Sequence, residues 1–288
     1  MSTRGLQQAL ARIYTDAKTR EAFLSGNEAH LLIYDLSPND LMHLRALKDR
    51  DSKRLSFFSG LLVNKQSNLV QILLPLTYRV LGESVWSEAW STHVSTHSNE
   101  AMMSPLAKAT RFLDYLESYF DHQSSDAVLA KDIISYERCK LSMRSAFQAG
   151  SGSQLMLPAA RNQLENLYPL VQKPFLIRLF NYDLPEIIAF LNTSASLPIP
   201  RPTPTPVLFY RHWQTDSINT AKVAEWVEDL LNRCDGQTPA NSIVEWLDKR
   251  AGISGGSSPS AQFLYRLEVQ GVIALMNQPL TVLAEGHR

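Results

Sequence analysis

The stretch IPRPTPTPVLFYRHW, Ile199 to Trp213, decides how the chain is divided. Prolines fall on every second residue, at Pro198, Pro200, Pro202, Pro204 and Pro206. Each proline fixes its own φ and biases its predecessor away from helix, so the run favours an extended polyproline II spacer. The apolar segment Val207, Leu208, Phe209 and Tyr210 follows at once and reads as a short strand. A stiff spacer that delivers a strand marks a domain boundary. Three parts follow: a helical domain at 1–149, a connecting segment at 150–206 that holds a short strand, a helix and the spacer, and a second domain at 207–288.

Downstream, Thr215-Asp216-Ser217 reads as a turn, with a possible second strand near Ile218. AKVAEWVEDLLNRC reads as an amphipathic helix with Val223, Val227, Leu230 and Leu231 inward. Thr238-Pro239 opens a second helix with Ile243, Val244 and Leu247. Ser258-Pro259 opens a third with Phe263, Leu264 and Leu267, and Gly271 is suited to end it. VIALM then reads as a strand. Three short helices with a flanking β ribbon describe a winged helix-turn-helix.

Upstream, apolar residues recur at helical spacing. Leu6, Leu10 and Ile13 make one stripe, and Ala22 and Phe23 belong to a second short segment. Ser37-Pro38-Asn39-Asp40 has the form of a capping box with proline at the first helical position. A long helical pattern follows through Phe57, Phe58, Leu61, Leu62, Leu69, Ile72 and Leu73, which Pro75 should kink or end. Ser104-Pro105 opens a helix with Leu106, Ala109, Leu113, Leu116 and Phe120, and the next carries Leu129, Ile133, Tyr136 and Met143. The GSGS stretch at 150–153 reads as a hinge, and PFLIRLF, 174–180, as a buried strand. The expected fold class is mainly α with a small β component (α+β): an N-terminal helical bundle and a C-terminal winged helix.

The 288 residues carry 44% hydrophobic and 19% charged side chains with a formal net charge of +0. That suits a chain with a buried core and no global pull towards nucleic acid or anionic membrane. Two cysteines, Cys139 and Cys234, lie in separate helical patterns, so a reducing compartment fits. The N-terminal residues lack a signal-peptide core, and no apolar run reaches the roughly 20 residues of a membrane span. A cytoplasmic location is expected.

Catalytic patterns fail on context. Gly252-Ile253-Ser254-Gly255-Gly256 matches GxSxG, but a nucleophile elbow needs a strand before it, and a helical pattern precedes. His93 and His97 have metal-compatible spacing without an HExxH motif or a nearby acidic cluster. His122 and His212 read as surface or packing residues. No catalytic and no metal-binding residue is expected. The basic stretch Arg45–Arg54 reads as a solvated helix end. A DNA-binding regulator is the alternative function. Residues 207–288 disfavour it, because they hold nine acidic against seven basic side chains, whereas DNA affinity leans on phosphate neutralisation.

Two stretches carry a resemblance. LQQALARIYTDAKTREAFL, with LSPNDLMHLRAL and LLPLTYRVLG, resembles the helical opening of the TglI-like partner proteins of multinuclear non-heme iron oxidases in ribosomal peptide (RiPP) pathways, the 3-thiaglutamate or pearlin type. The C-terminal helices ending in FLYRLEVQGVIAL are similar to the PqqD-like precursor-peptide recognition element. The resemblance implies a non-enzymatic subunit without a cofactor of its own. It implies two partners: a TglH-like oxidase subunit that holds the iron, and a ribosomally made precursor peptide whose C-terminal cysteine is presented to it. In this family the peptide adds as a strand to a sheet edge and touches the third helix. Carried onto this chain, the edge is Val207, Leu208, Phe209 and Tyr210 with its partner near Ile218. The helix side is Phe263, Leu264 and Leu267. Phe209→Asp is then expected to weaken peptide binding, and the prolines to set the distance between the domains.

Overall fold

The computed structural model describes residues 3–97, 103–121, 127–149, 164–193, 200–252 and 259–280. The chain is mainly helical with a small sheet component, as its composition and periodicity imply. It divides into two compact units, Met1–Arg138 and Cys139–Arg288.

Among its described residues the first unit has helices and no strand: α1 (Thr3–Thr15), α2 (Ala17–Leu24), α3 (Pro38–Leu73), α4 (Pro75–Thr96), α5 (Pro105–Asp121) and α6 (Val128–Ala149), the last continuing past the division. Local chemistry sets several of these boundaries. Ser37 and Asp40 close the expected capping box, with Pro38 in the first turn. Pro75 ends α3 and opens α4. The backbone N–H groups of Leu76 and Thr77 donate to the two oxygens of Glu137, at 2.9 and 3.0 Å. A buried carboxylate on α6 thus satisfies the start of α4 with charge-assisted hydrogen bonds, which the helix dipole reinforces. Ala9, Ile13, Phe23, Leu31, Leu44 and Leu55 form one core cluster.

One expectation changes in this unit. The basic stretch Arg45–Arg54 is not a helix end: α3 continues through it, kinked at Asp51, whose φ is −136° and ψ 27°. Beyond the kink α3 buries some apolar residues and exposes others. Leu55, Ser59 and Val70 face inward. Phe57, Phe58, Leu61, Leu62, Leu69 and Ile72 are exposed, Phe57 at 65% and Ile72 at 73%.

The second unit contains β1 (Tyr168–Val171), β2 (Leu176–Phe180), α7 (Leu184–Thr193), β3 (Thr205–Arg211), β4 (Ile218–Lys222), α8 (Val227–Arg233), α9 (Ala240–Ala251), α10 (Pro259–Val269) and β5 (Ile273–Met276). From β3 onward the order is the one read from the sequence. The sheets draw on residues further upstream. β2, β3 and β4 form an antiparallel sheet with β3 in the centre, and β1 pairs with β5. The segment at 150–206 therefore does not merely connect domains, since its strands complete both sheets. The described part of the proline run joins α7 to β3 inside this unit, rather than separating two units. Strand pairing across a long sequence gap leaves no local signature, which is why the boundary was misplaced. The GSGS stretch and Pro198 lie outside the described residues.

β3 is buried on both faces. Leu208 and Tyr210 join the core made with Leu230, Leu231, Ile243, Leu264 and Ile273. Val207 and Phe209 alternate onto the other face, where the ring of Phe209 lies 6.2 Å from that of Phe180 and α7 packs against β3 and β4. The helix-sided face is tied at its end. Tyr210 donates its phenol to the carbonyl of Gln270 at 3.0 Å, and the backbone N–H of Trp213 donates to Gly271 at 3.1 Å. Gly271 has φ +71°, ends α10 in a Schellman motif and lies so close to the His212 ring that a Cβ would clash.

Glu137→Ala is expected to destabilise the first unit by about 2 kcal/mol, because it leaves buried helix N–H groups unsatisfied. Urea unfolding followed by circular dichroism measures the loss, and Glu137→Gln should recover part of it.

Candidate functional site

The strand register shows which backbone groups the sheet offers. His212 donates to Ser217 at 2.8 Å and Val223 to Pro206 at 3.1 Å. Hydrogen-bonded pairs alternate along an antiparallel ladder. With Leu208 opposite Ala221 and Tyr210 opposite Asn219, Asn219 and Ala221 turn their backbone groups towards β3. Ile218, Thr220 and Lys222 direct theirs away from it. β4 is an outer strand, and among the described residues no further strand lies beyond it. An outer strand is a template for another extended segment.

This relocates the site read from the sequence. Val207, Leu208, Phe209 and Tyr210 do not form an edge, because β2 and β4 occupy both sides of β3 and all four side chains are at most 5% exposed. Phe209→Asp would place a charge in the core and test folding rather than binding. Ile218 does lie on the outer strand. Of the helix residues, Leu264 and Leu267 are core, while Phe263 is partly buried.

Phe263 opens onto a pocket that the sequence reading missed. The cavity has a volume of about 460 Å³ and lies between α9 and α10. Trp226, Leu247 and Phe263 provide apolar wall, and Arg250 and Arg266 line it as well. The rings of Trp226 and Phe263 are 5.6 Å apart. Trp226 sits in the short segment between β4 and α8, so outer strand and pocket are close in the chain. The signal for it was Arg250 and Arg266 on successive helices, which no single-helix pattern brings together.

His93 and His97 stack at 4.7 Å among Trp90, Phe112 and Tyr115 at the end of α4. Among the described residues no group of three or more His, Cys, Asp and Glu is placed to hold a metal. His212 accepts the N–H groups of Gln214 and Thr215 through Nδ1, at 3.2 and 3.3 Å, and so braces the turn between β3 and β4. In the GxSxG stretch, Gly252 is the left-handed cap of α9. A helix therefore precedes the stretch, and Ser254 lies outside the described residues, as does His122. No helix among the described residues is long and apolar enough to cross a membrane. No family model matches the chain, and no curated protein matches it.

Burial pushes the Cys234 thiol from 9.0 up to about 12, with Asp235 adding to the shift. A thiol held neutral in the fold ionises more readily when unfolded. Its contribution to stability is therefore full below pH 9 and is lost as pH rises from 9 towards 12. Cys139 is buried as well. Both cysteines are expected to resist iodoacetamide at neutral pH in the native protein and to react once urea unfolds it. Rapid native labelling of Cys234 would contradict this placement.

Proposed function

We propose that this chain is a non-catalytic partner subunit that binds a precursor peptide and presents its C-terminal cysteine to an iron-dependent oxidase in RiPP biosynthesis of the 3-thiaglutamate type. The second unit serves as a winged-helix, PqqD-like recognition element. The observation that carries the reading is the outer strand Ile218–Lys222 at the margin of a sheet that the three helices α8, α9 and α10 follow. Two supports stand beside it: the sequence resemblance at both ends of the chain, and the partly buried Phe263 on the third helix. A peptide added to β4 takes its affinity from backbone hydrogen bonds and its specificity from side-chain pockets.

The first unit is assigned to docking the oxidase. Its support is the apolar face of α3, where Phe57, Phe58, Leu61, Leu62, Leu69 and Ile72 are exposed together. Contiguous apolar surface of this kind marks interaction sites. The DNA-regulator alternative gains no support. The third helix, α10, carries Arg266 as its single basic side chain, and a recognition helix needs several basic or base-reading contacts.

Co-expression with the neighbouring genes is expected to co-purify an iron protein, and combined Phe57→Ser and Ile72→Ser should abolish that while leaving peptide binding intact. For the recognition unit, Ile218→Pro removes an outward N–H without touching the ladder to β3, and Asn219→Pro breaks that ladder. Ile218→Pro is expected to stay folded and bind the precursor peptide about tenfold more weakly, roughly one charge-free hydrogen bond plus local clash. Asn219→Pro should unfold the unit. Undiminished affinity in a folded Ile218→Pro protein would refute strand addition at β4.

A further inference from the structure

The pocket between α9 and α10 has a chemical signature of its own. Arg250 and Arg266 are two of the seven basic side chains in residues 207–288, which hold nine acidic ones, and both line the cavity. Among the described residues no acidic side chain lines it. The Arg250 guanidinium lies 3.8 Å from Asp229, with both side chains at least half exposed, and 5.7 Å from the centre of the Trp246 ring. Such a pair is weak and easily exchanged. Arg266 has no carboxylate partner among the described residues. Trp226, Leu247 and Phe263 line the same cavity, with Trp226 and Phe263 partly buried against the core. The occupant must satisfy both halves: a carboxylate for the Arg266 guanidinium and a bulky apolar group for the wall.

The pocket is also within reach of the outer strand. Trp226 follows Lys222 by four residues, so the end of β4 lies at most about 14 Å from the pocket wall. A peptide running along β4 covers that span in four or five residues. Duplex DNA fits less well, because phosphates match the guanidinium groups but leave the aromatic wall unused.

We infer that this pocket reads an acidic–apolar pair in the bound peptide, a carboxylate residue beside or near an aromatic or large aliphatic one. The inference rests on the peptide-presenting function proposed above and names the sequence class it selects. Strand addition to β4 is largely blind to side chains, and the pocket supplies the discrimination.

The test uses the full-length chain and the precursor peptide encoded beside it, with affinity read by isothermal titration. Arg266 is exposed, so Arg266→Gln should leave the thermal melt unchanged. It is expected to weaken the peptide about tenfold, the loss of one charge-assisted hydrogen bond, and Arg266→Lys should recover much of it. An alanine scan of the peptide should map the same loss to one acidic residue and one neighbouring apolar residue, with no additive loss in the Arg266→Gln protein. If wild type and Arg266→Gln bind the peptide equally, the pocket inference falls while the peptide reading stands. If wild type does not bind the peptide, both fall. If a 20-base-pair duplex competes for the site through Arg266, the pocket is a phosphate site and the inference is overturned.

Discussion

The second unit depends on one constraint: β3 is hydrogen-bonded along both edges and buried on both faces. Such a strand cannot exist without its neighbours. β2 must come from upstream to take one edge, β4 must fold back to take the other, α7 must cover the Val207 and Phe209 face, and the three helices must cover the Leu208 and Tyr210 face. The Lys222 ammonium, 2.5 Å from the Asp183 carboxylate, ties the end of β4 to the segment that starts α7. Pro206 fits the same geometry. It begins the ladder to β4 through its carbonyl, which accepts from Val223, and lacks an N–H where the ladder ends. The prolines before it limit the freedom of the connection into β3, which lowers the entropy of the unfolded chain.

Function follows from what this arrangement leaves over. A fully satisfied central strand makes a rigid platform, and rigid platforms present edges with defined register. β4 offers alternate backbone groups outward, and the segment that follows it carries Trp226 to the mouth of a pocket between two helices. On the proposed reading, backbone recognition and side-chain recognition sit on adjoining parts of one small unit. In the first unit the proposed docking surface is of another kind. There the interior is closed by devices such as Glu137 at the start of α4 and the Trp86 indole, which donates to Ser67 at 2.9 Å. The leftover is an apolar helix face.

Local features were legible in the sequence, and non-local ones were not. The capping box at Ser37, the break at Pro75, the start at Pro105 and the Schellman end at Gly271 depend on a few neighbouring residues, so their chemistry reads directly. The order of elements from β3 to β5 also reads directly, because hydrophobic period distinguishes strand from helix. The identity of the open edge does not, since it depends on whether β2 pairs with β3 across the whole of α7. One signal was present all the same. Val207 to Tyr210 are apolar without alternation, which is the pattern of a strand buried on both faces rather than of an edge. The α3 stripe shows another limit: its spacing is that of a core face, and spacing alone does not say what covers it. The pocket needed Trp226, Arg250 and Phe263 together, from three elements that only the fold brings near one another.

Amide hydrogen exchange in the presence of the precursor peptide tests the account most directly. Asn219 and Ala221 already point into the ladder with β3, whereas Ile218 and Lys222 point away from it. Peptide binding is expected to slow exchange at Ile218 and Lys222 and leave the protected Asn219 and Ala221 unchanged. Saturating peptide that leaves Ile218 and Lys222 as fast as before, or protects the outer amides of β2 at Ile177 and Leu179 instead, would contradict it.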